Sequence, residues 1–358
     1  MRLVMTTDAV GGVWRYAIDA GSALMALGVE VTLVGLGPAP TVDRRAEAEA
    51  AGLPLAWLDG PLDWSCAGEE GLERSGSALA GFVRRHGADV VHVNAPALLP
   101  WVEKDSLRVA AVHSCLATWW RAVKTGPLPE TWRWHRDATA TALAEADRAI
   151  APTRAFAVAL EAEYGPLPRL HVVCNGVRPV EPAFKRPCVL AAGRWWDEGK
   201  NLAGLDAAAA RAAWPVCVAG PMAADSASAP PLRTAVWVGE LCHREMRARL
   251  AEAGIFASPS LYEPFGLAVL EAATAGAALV LADIPTFREL WDGAALFADP
   301  RDPVAFAYAI NRLALDDRLR VGFATAARAR AQLFSLPTQA AALMRAYGRE
   351  AAGWRVAV

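Results

Sequence analysis

The sequence lacks the side-chain patterns that usually indicate a metal site or a disulfide scaffold. Its six cysteines form no C-x-x-C pair, and its six histidines show no ligand spacing such as H-E-x-x-H. Several cysteines fall in apolar, strand-like segments, so they are interpreted as buried reduced thiols of a cytoplasmic protein. Neither a structural nor a catalytic zinc site is therefore expected.

Long apolar runs and a strong charge of one sign are also missing. No uninterrupted apolar run reaches the roughly 20 residues of a membrane-spanning helix, although 54% of the residues are hydrophobic. The opening MRLVMTTDAVGGVWRY lacks the basic region and cleavage site of a secretory signal, and it predicts a first strand and helix. Because the formal net charge is only −2, no nucleic acid partner is expected.

Short β-branched runs alternate along the chain with Ala-rich segments of helical length. Strands are predicted over RLVMTT, VEVTLVG, ADVVHVN, LRVAAVH, ADRAIAP and RLHVVCN, and then over PCVLAAG, PVCVAG, AVWVGE, GIFASPS and ALVLAD. Continuous apolar strands separated by helices predict an α/β fold with doubly wound parallel sheets. About eleven strands exceed the usual size of one such sheet, so two domains are expected.

The boundary between these domains is predicted in NGVRPVEPAFKRP, residues 175–187, because its prolines interrupt any hydrophobic period. An N-terminal domain over 1–175 and a C-terminal domain over 176–336 follow from this boundary. The terminal segment, about 337–358, reads as helical and is expected to pack back on the N-terminal domain.

The segment SPSLYEPFGLAVLEAATAGAALVLAD, residues 258–283, is typical of a phosphate-binding strand–loop–helix unit. Its helix is predicted over residues 265–274, and the small Gly266 lets a ligand approach the first turn closely. Unpaired backbone amides and the positive end of the helix dipole make this turn a natural diphosphate site. The amides predicted to bind are those of Phe265, Gly266 and Leu267.

Two glutamates flank this phosphate site. Pro264 keeps Glu263 out of the helical conformation, so its carboxylate lies in the loop before the helix. Glu271 lies further along the helix, beyond the phosphate site. A carboxylate on each side of a diphosphate suits a ligand with hydroxyl groups at both ends, which describes a nucleotide sugar.

The loop LAAGRWWDEGKN, residues 190–201, supplies two cations. Arg194 and Lys200 lie between the first strand of the C-terminal domain and the next helix, at the carboxyl end of the sheet, where ligands bind in this architecture. A guanidinium and an ammonium group that converge there can stabilise the charge on a leaving diphosphate.

The N-terminal domain lacks the phosphate-binding motifs of two other enzyme classes. It has no G-x-G-x-x-G after the first strand and no acidic residue at the end of the second, and G-K-[ST] is absent from the chain. A nicotinamide-linked oxidoreductase and a P-loop enzyme therefore both fit badly. Gly11 and Gly12 follow the first strand instead, and their backbone can contact the phosphates or the transferred sugar.

Two polar residues follow later strands of the same domain. His113 ends LRVAAVH, where its imidazole can hydrogen-bond a sugar hydroxyl or stabilise charge near the reacting carbon. Asn94 ends ADVVHVN and is a weaker candidate of the same kind. A purely structural histidine is the competing interpretation.

Taken in order, GGV, NGV, GRWWDEGKN and EPFGLAVLEA resemble the motifs of the retaining GT-B glycosyltransferases of family 4. EPFGLAVLE fits the family's E-x7-E motif, with Glu263 and Glu271 at its ends. The resemblance implies two Rossmann-like domains facing a cleft and sugar transfer from a nucleotide diphosphate donor with retention of anomeric configuration. It also implies that no metal or other cofactor is needed, which agrees with the missing D-x-D cluster.

The resemblance also implies roles for individual residues. Glu263 would contact hydroxyls of the transferred sugar, and Glu271 would contact the nucleotide ribose. Arg194 and Lys200 would hold the diphosphate, and Gly12 with Gly11 would form the loop over the donor. His113 would lie next to the reacting sugar. The base would lie near Val238–Cys242, a stretch that includes Leu241. The acceptor would attack from the face that the diphosphate leaves, and a donor phosphate oxygen would take its proton.

In one position the chain departs from the family. The usual Lys-Gly pair is Lys200-Asn201 here, and Asn201 is expected to serve as a helix N-cap.

The acceptor is expected to bind the N-terminal domain, which is rich in tryptophan. In SCLATWWRAVKTGPLPETWRWHRD, Trp119 and Trp120 precede Arg121; indoles stack on sugars, and arginines bind anions. Three hypotheses remain open: a carbohydrate or anionic acceptor site that includes Asn94, a rim that contacts anionic lipid at the membrane surface, and tryptophans that merely pack the core.

Two functions compete with sugar transfer. One is a GT-B hydrolase or epimerase of nucleotide sugars, and the other is a non-catalytic nucleotide-sugar binding protein. In the favoured hypothesis the donor is a UDP-, GDP- or ADP-sugar and the acceptor is a sugar, glycan, lipid or small molecule.

Overall fold

In the computed structural model, which describes residues 1–66, 68–224 and 227–349, the chain divides into two units. Unit 1 comprises Met1–Gly176 and the segment that begins at Leu336, and unit 2 comprises Val177–Ser335. The last part of the predicted terminal segment, residues 350–358, lies outside the described residues. Within the described ranges, no helix is both long enough and apolar enough to cross a membrane.

Unit 1 contains a parallel sheet. Its strands are β1 (Arg2–Asp8), β2 (Glu30–Leu36), β3 (Leu55–Trp57), β4 (Val90–Val93), β5 (Leu107–Ala111), β6 (Arg148–Ala151) and β7 (Leu170–Val172). They stand in the order β3-β2-β1-β4-β5-β6-β7, and every pairing is parallel. All side chains of β4 are buried, as expected for an interior strand of a parallel sheet.

Helices connect these strands. They are α1 (Gly12–Met25), α2 (Val42–Ala50), α3 (Glu69–His86), α4 (Leu116–Val123), α5 (Arg133–Glu145) and α6 (Arg154–Tyr164). Apolar residues of β1, such as Leu3 and Met5, pack in one cluster with Ile18 and Leu24 of α1. Burial of this apolar surface orders the start of α1 directly after β1.

Unit 2 contains a second parallel sheet. Its elements are β8 (Arg186–Ala192), β9 (Val216–Ala219), β12 (Val236–Trp237), β13 (Ala253–Ser258), β14 (Ala278–Ala282) and β15 (Leu296–Ala298), with a separate antiparallel pair β10 (Ala223–Ala224) and β11 (Ala227–Ser228). The sheet order is β12-β9-β8-β13-β14-β15, and its pairings are parallel.

The helices of unit 2 complete the alternating pattern. They are α7 (Leu202–Ala209), α8 (His243–Glu252), α9 (Leu267–Thr274), α10 (Pro285–Trp291), α11 (Pro303–Leu315) and α12 (Asp317–Ala331). Val189 of β8 and Ile255 of β13 share one apolar cluster with Ile310 of α11. This cluster holds the central strands, and with them the loops that follow, in a fixed position.

The chain then returns to unit 1 in α13 (Leu336–Ala346). Leu343 and Met344 of this helix belong to the same apolar cluster as α1. Gln339 accepts a hydrogen bond from the backbone amide of Gly176 at 3.0 Å. This bond joins the end of the first segment of unit 1 to α13.

The predicted doubly wound, parallel α/β architecture with two sheets is confirmed. The strands that sequence patterns missed are short: β3, β15 and the β10–β11 pair. Pieces of two or three residues carry too little of a hydrophobic pattern to be recognised.

In both sheets the strand order reverses beside the first strand of the unit. β1 stands between β2 and β4, and β8 stands between β9 and β13. Loops that leave the carboxyl ends of these neighbouring strands meet at one place, which is where ligands bind in open α/β sheets.

Candidate functional site

The reversal point of the unit 2 sheet brings two predicted charged groups together. Lys200 lies in the loop after β8, and Glu263 lies in the loop after β13. Lys200 Nζ and Glu263 Oε2 are 2.5 Å apart, and each side chain is 18% exposed. The pair is thus partly shielded from water yet open to a ligand.

The backbone of both loops is held by hydrogen bonds. The Gly199 carbonyl accepts from the Leu261 amide at 2.8 Å, which ties one loop to the other. The Thr286 hydroxyl donates to the Glu263 carbonyl at 2.6 Å, so α10 also supports this residue. These hydrogen bonds fix the backbone positions from which the Lys200 and Glu263 side chains extend, as a preorganised site requires.

Gly266 lies beside the ion pair, directly before α9. Its φ of +91° is left-handed, and a Cβ there would lie 2.9 Å from the Phe287 ring and 3.5 Å from Glu263 Cγ. Glycine is therefore required by both conformation and space. The structure brings Lys200, Glu263 and the backbone of Gly266 into one place.

The predicted start of this helix was wrong by two residues. α9 begins at Leu267 rather than at Phe265, because the left-handed Gly266 is the N-cap and cannot belong to the helix. The first-turn amides are therefore those from Leu267 onward, and Phe265 lies outside, with its side chain buried against Phe334. Binding of phosphate by the Phe265, Gly266 and Leu267 amides stays a prediction.

Arg194 lies in the same loop as Lys200 but is held differently. Its guanidinium stacks on the Trp196 ring at 5.3 Å, and its Nη2 is 3.7 Å from Asp197 Oδ2. Trp195 next to it is buried and donates to the Ala219 carbonyl at 2.9 Å. The two tryptophans of GRWWDEGKN thus differ: Trp195 anchors the loop to the sheet, and Trp196 stacks against the Arg194 guanidinium.

The remaining predicted donor contacts lie near the same edge. Glu271 is on α9 and is 9% exposed. Leu241 lies in the stretch Val238–Cys242 after β12, where the Gly239 carbonyl accepts from the Gly220 amide at 2.9 Å. A Cβ at Gly220 would lie 2.1 Å from the Gly193 carbonyl oxygen, so the strand ends pack backbone against backbone.

Asn201 is the N-cap of α7, as predicted. It has a left-handed φ of +56°, and its side chain accepts from the Gly204 amide at 3.3 Å. Its Nδ2 donates to the carbonyls of Pro259 (3.1 Å) and Pro300 (2.7 Å). Because a left-handed conformation is least costly for glycine and asparagine, the replacement of the family's glycine by asparagine preserves the loop.

We expect Asn201→Ala to lower the free energy of unfolding by about 2–3 kcal/mol, since it removes the cap and forces alanine into left-handed backbone. Asn201→Gly keeps the backbone and loses only the side-chain bonds, so it should cost about 1 kcal/mol. Denaturant unfolding of both variants checks this. Equal losses for Ala and Gly would contradict the backbone argument.

In unit 1, Gly11 and Gly12 open α1 at the reversal point of the sheet. Gly11 is the N-cap, without a side-chain cap, and α1 begins at Gly12. The turn before it is closed by Asp8, whose Oδ1 accepts from the amides of Val10 (2.8 Å) and Gly11 (3.2 Å). The first-turn amides from Gly12 onward lack intrahelical acceptors, which suits contact with an anion.

His113 and Asn94 are in direct contact. His113 Nε2 lies 2.8 Å from Asn94 Oδ1, although the two residues follow different strands, β5 and β4. Asn94 is buried, and its Nδ2 donates to the Thr6 carbonyl at 2.6 Å. Its amide is thus engaged within the protein, and an acceptor contact by Asn94 stays a prediction.

The residues behind this pair were not predicted from the sequence. His92 is fully buried; its Nε2 is 3.1 Å from Asn94 Oδ1, and its Nδ1 is 2.8 Å from the Tyr347 hydroxyl. The ring of Tyr16 packs 4.2 Å from that of His113. Alternation along β4, which puts His92 and Asn94 on one face, was a usable signal; nothing local indicates Tyr347.

Burial keeps both imidazoles neutral. It lowers the pKa of His92 to about 3, with the nearby His113 as a smaller cause, and lowers the pKa of His113 to about 4. His113 is therefore uncharged at neutral pH and interacts through hydrogen bonds rather than as a cation.

Three of the predicted acceptor residues, Trp119, Trp120 and Arg121, lie on α4, whereas Asn94 follows β4. Lys124 Nζ is 5.8 Å from the Trp119 ring centre and 5.9 Å from that of Trp120. Arg121 is 62% exposed and pairs with Glu163 at 3.3 Å. The helix thus presents aromatic and cationic groups together, while a direct acceptor contact stays a prediction. In the described part of the chain, no cluster of three potential metal ligands occurs.

Two family profiles match the chain, one in each half. The profile described as Glycosyltransferase Family 4 matches residues 10–181, and the one described as Glycosyl transferases group 1 matches residues 186–316. Every predicted site residue lies within one of these two ranges.

Solved structures share the fold over nearly the whole chain. Sucrose-phosphate synthase from Thermosynechococcus elongatus has a TM-score of 0.77 at 18% identity, with 97% of this chain and 98% of that chain covered. Anabaena HepE, solved in complex with UDP and glucose, has a TM-score of 0.78 at 16% identity, with 97% and 99% covered. At these identities the likeness establishes the fold.

A shorter match has higher identity. Glycogen synthase of Mycobacterium tuberculosis (strain CDC 1551 / Oshkosh) is 42% identical over 88 residues, which is 24% of this chain. The match spans 21% of that protein's length.

Proposed function

We propose, from the premise that this chain belongs to the family-4-like glycosyltransferases of GT-B fold, that it transfers a sugar from a nucleotide diphosphate donor to an acceptor. The donor binds unit 2 at the reversal point of its sheet. We further propose that transfer retains the anomeric configuration and needs no metal ion.

One observation carries the proposal. A lysine, a glutamate and a glycine helix N-cap, from two loops, meet beside the first turn of α9. The ammonium group and the first-turn amides attract a diphosphate, and the carboxylate accepts hydrogen bonds from sugar hydroxyls. A nucleotide sugar offers both kinds of group next to each other.

The chemistry follows from these charges. As the bond between the anomeric carbon and the diphosphate breaks, negative charge grows on the departing phosphate oxygens. Lys200 and Arg194 stabilise this charge more in the transition state than in the ground state, which lowers the barrier. The stacking of Arg194 on Trp196 supports this role, because it limits the positions of the guanidinium group.

Retention in a single displacement requires the acceptor to approach from the face that the diphosphate leaves. A departing phosphate oxygen can then take the acceptor's proton as the new glycosidic bond forms, so no side-chain base is needed. In this scheme Glu263 binds the transferred sugar and His113 accepts a hydrogen bond from it. Glu271 holds the ribose, and the stretch around Leu241 holds the base.

The acceptor is proposed to bind unit 1 at α4. Trp119 and Trp120 supply surfaces for stacking, and Arg121 and Lys124 supply positive charge. This combination suits a carbohydrate or an anionic acceptor.

A thermal-shift screen of nucleoside diphosphates followed by a transfer assay tests the function. UDP is the first ligand to test, because the similar HepE was solved with UDP and glucose. A specific ligand should raise the melting temperature, since only the folded state binds it. The anomeric proton coupling of the product, with and without a chelator, then reports configuration and metal dependence. An inverted product, or a lack of stabilisation by UDP, GDP and ADP alike, would contradict the proposal.

A further inference from the structure

We propose that Asn94, His92 and Tyr347 are positioning residues that hold His113 as the tautomer with its proton on Nε2 and a bare Nδ1. The hydrogen-bond geometry of unit 1 carries this inference directly. Its catalytic consequence rests on the proposed function, in which His113 contacts the transferred sugar.

The first step is the orientation of the Asn94 amide. The Thr6 hydroxyl oxygen accepts from the Asn94 backbone N–H at 2.7 Å, and the Thr6 carbonyl lies 2.6 Å from Nδ2 of the Asn94 side-chain amide. A carbonyl can only accept, so the group facing it must be the amide NH2. Asn94 Oδ1 therefore points the other way, toward the two histidines.

The second step concerns the protons on those histidines. Asn94 Oδ1 lies 2.8 Å from His113 Nε2 and 3.1 Å from His92 Nε2. An amide oxygen has no proton to give, so each of these nitrogens must donate. In a neutral imidazole only one nitrogen carries a proton, so Nδ1 of both rings is left as an acceptor.

The Tyr347 hydroxyl stabilises this tautomer of His92. His92 Nδ1 faces the Tyr347 hydroxyl at 2.8 Å, and a phenol can donate to it. The opposite tautomer would put its proton on Nδ1 and leave Nε2 and Asn94 Oδ1 as two facing acceptors; the Tyr16 hydroxyl, 3.3 Å from Nε2, could donate to Nε2 but not to both. His92 and Tyr347 are 0% and 5% exposed, so water cannot compensate for such a mismatch.

The surroundings disfavour a charged form as well. Tyr16 packs against both imidazoles and helps to bury them; in the assigned tautomer its hydroxyl, 3.3 Å from His92 Nε2, lies on the acceptor side. Burial lowers the pKa of both histidines well below the neutral range. His113 is thus a neutral ring with a defined acceptor, and a substrate hydroxyl must donate to its Nδ1.

Tyr347→Phe is the sharpest test, because it removes one hydroxyl and keeps the ring that packs in the core. Full-length enzyme with 15N-labelled histidine is compared by imidazole NMR, with His113→Asn and His92→Asn used for assignment. The wild type should show Nε2-protonated, neutral rings for both residues. The variant should show mixed tautomers for His92 and altered signals for His113. Tyr308→Phe, on the exposed face of α11, is the matched control.

Kinetics give the second measurement. Tyr347→Phe should lower kcat about fivefold with an unchanged donor KM, because a less populated His113 tautomer weakens only a contact that matters in the transition state. Asn94→Leu, which removes the shared acceptor, should lower kcat by more than Tyr347→Phe does.

Two results would overturn the proposal: a wild-type His113 that carries its proton on Nδ1, or a Tyr347→Phe enzyme whose His113 signals and kcat match those of the wild type. The NMR measurement needs no substrate. It therefore decides the tautomer even if no donor is turned over and the proposed function fails, and the two failures can be told apart.

Discussion

Lys200→Met is expected to lower kcat about 100- to 1,000-fold and to weaken nucleoside diphosphate binding. The ammonium group lies 2.5 Å from a Glu263 carboxylate oxygen, beside the first turn of α9. A single donor directed at developing negative charge in a shielded site is worth about this much in catalysis. Methionine keeps the length of the apolar stem, so the loss reports on the charge rather than on packing.

Steady-state kinetics and calorimetric titration with UDP, GDP and ADP measure this effect. Lys104→Met removes the same charge from an exposed position in unit 1 and serves as the control. If Lys200→Met keeps more than a tenth of the wild-type kcat, the ammonium group does not stabilise the departing diphosphate, and the assignment of the phosphate site is wrong.

Glu263→Gln is expected to have opposite effects on catalysis and on product binding. Loss of the carboxylate weakens charge-assisted hydrogen bonds to the sugar, so kcat should fall about 100-fold. A nucleoside diphosphate lacks the transferred sugar, so it loses no such contact. It should bind about threefold more tightly, because Lys200 no longer has a carboxylate that competes with the phosphates.

This divergence separates a substrate-binding carboxylate from one that merely holds Lys200 in place. In the latter case nucleoside diphosphate affinity would fall together with kcat, because the ammonium group would lose its position. Glu73→Gln, on the exposed face of α3, controls for the change in net charge. Weaker binding of the nucleoside diphosphate by Glu263→Gln would therefore contradict the proposed division of roles.

The unit 2 site shows how far sequence patterns reach. Lys200 and Glu263 could be placed near one another because each follows a strand, and carboxyl ends of neighbouring parallel strands share an edge. The N-cap at Asn201 was predictable from the local sequence, because asparagine is a favoured N-cap residue. In contrast, the true start of α9 depends on the left-handed φ of Gly266, which no local pattern reveals; the Phe287 ring leaves no room there for a side chain.

The unit 1 site shows where such patterns stop. His113 was a candidate from its position after a strand, but its protonation is set by Asn94, His92 and a phenol 255 residues from His92 in the chain. The contact between Tyr347 and His92 depends on how α13 packs on α1, and the sequence around Tyr347 does not indicate its partner. The stacking of Arg194 on Trp196 is likewise a matter of side-chain conformation.

The return of α13 to unit 1 affects the order in which the protein can mature. Tyr347 and Gln339 leave the ribosome after all of unit 2, yet they complete the hydrogen bonding of His92 and of Gly176. A nascent unit 1 therefore lacks partners for these two polar groups until unit 2 and α13 have been synthesised. The hydrogen bonding behind His113 is thus completed only after the whole of unit 2 has been translated.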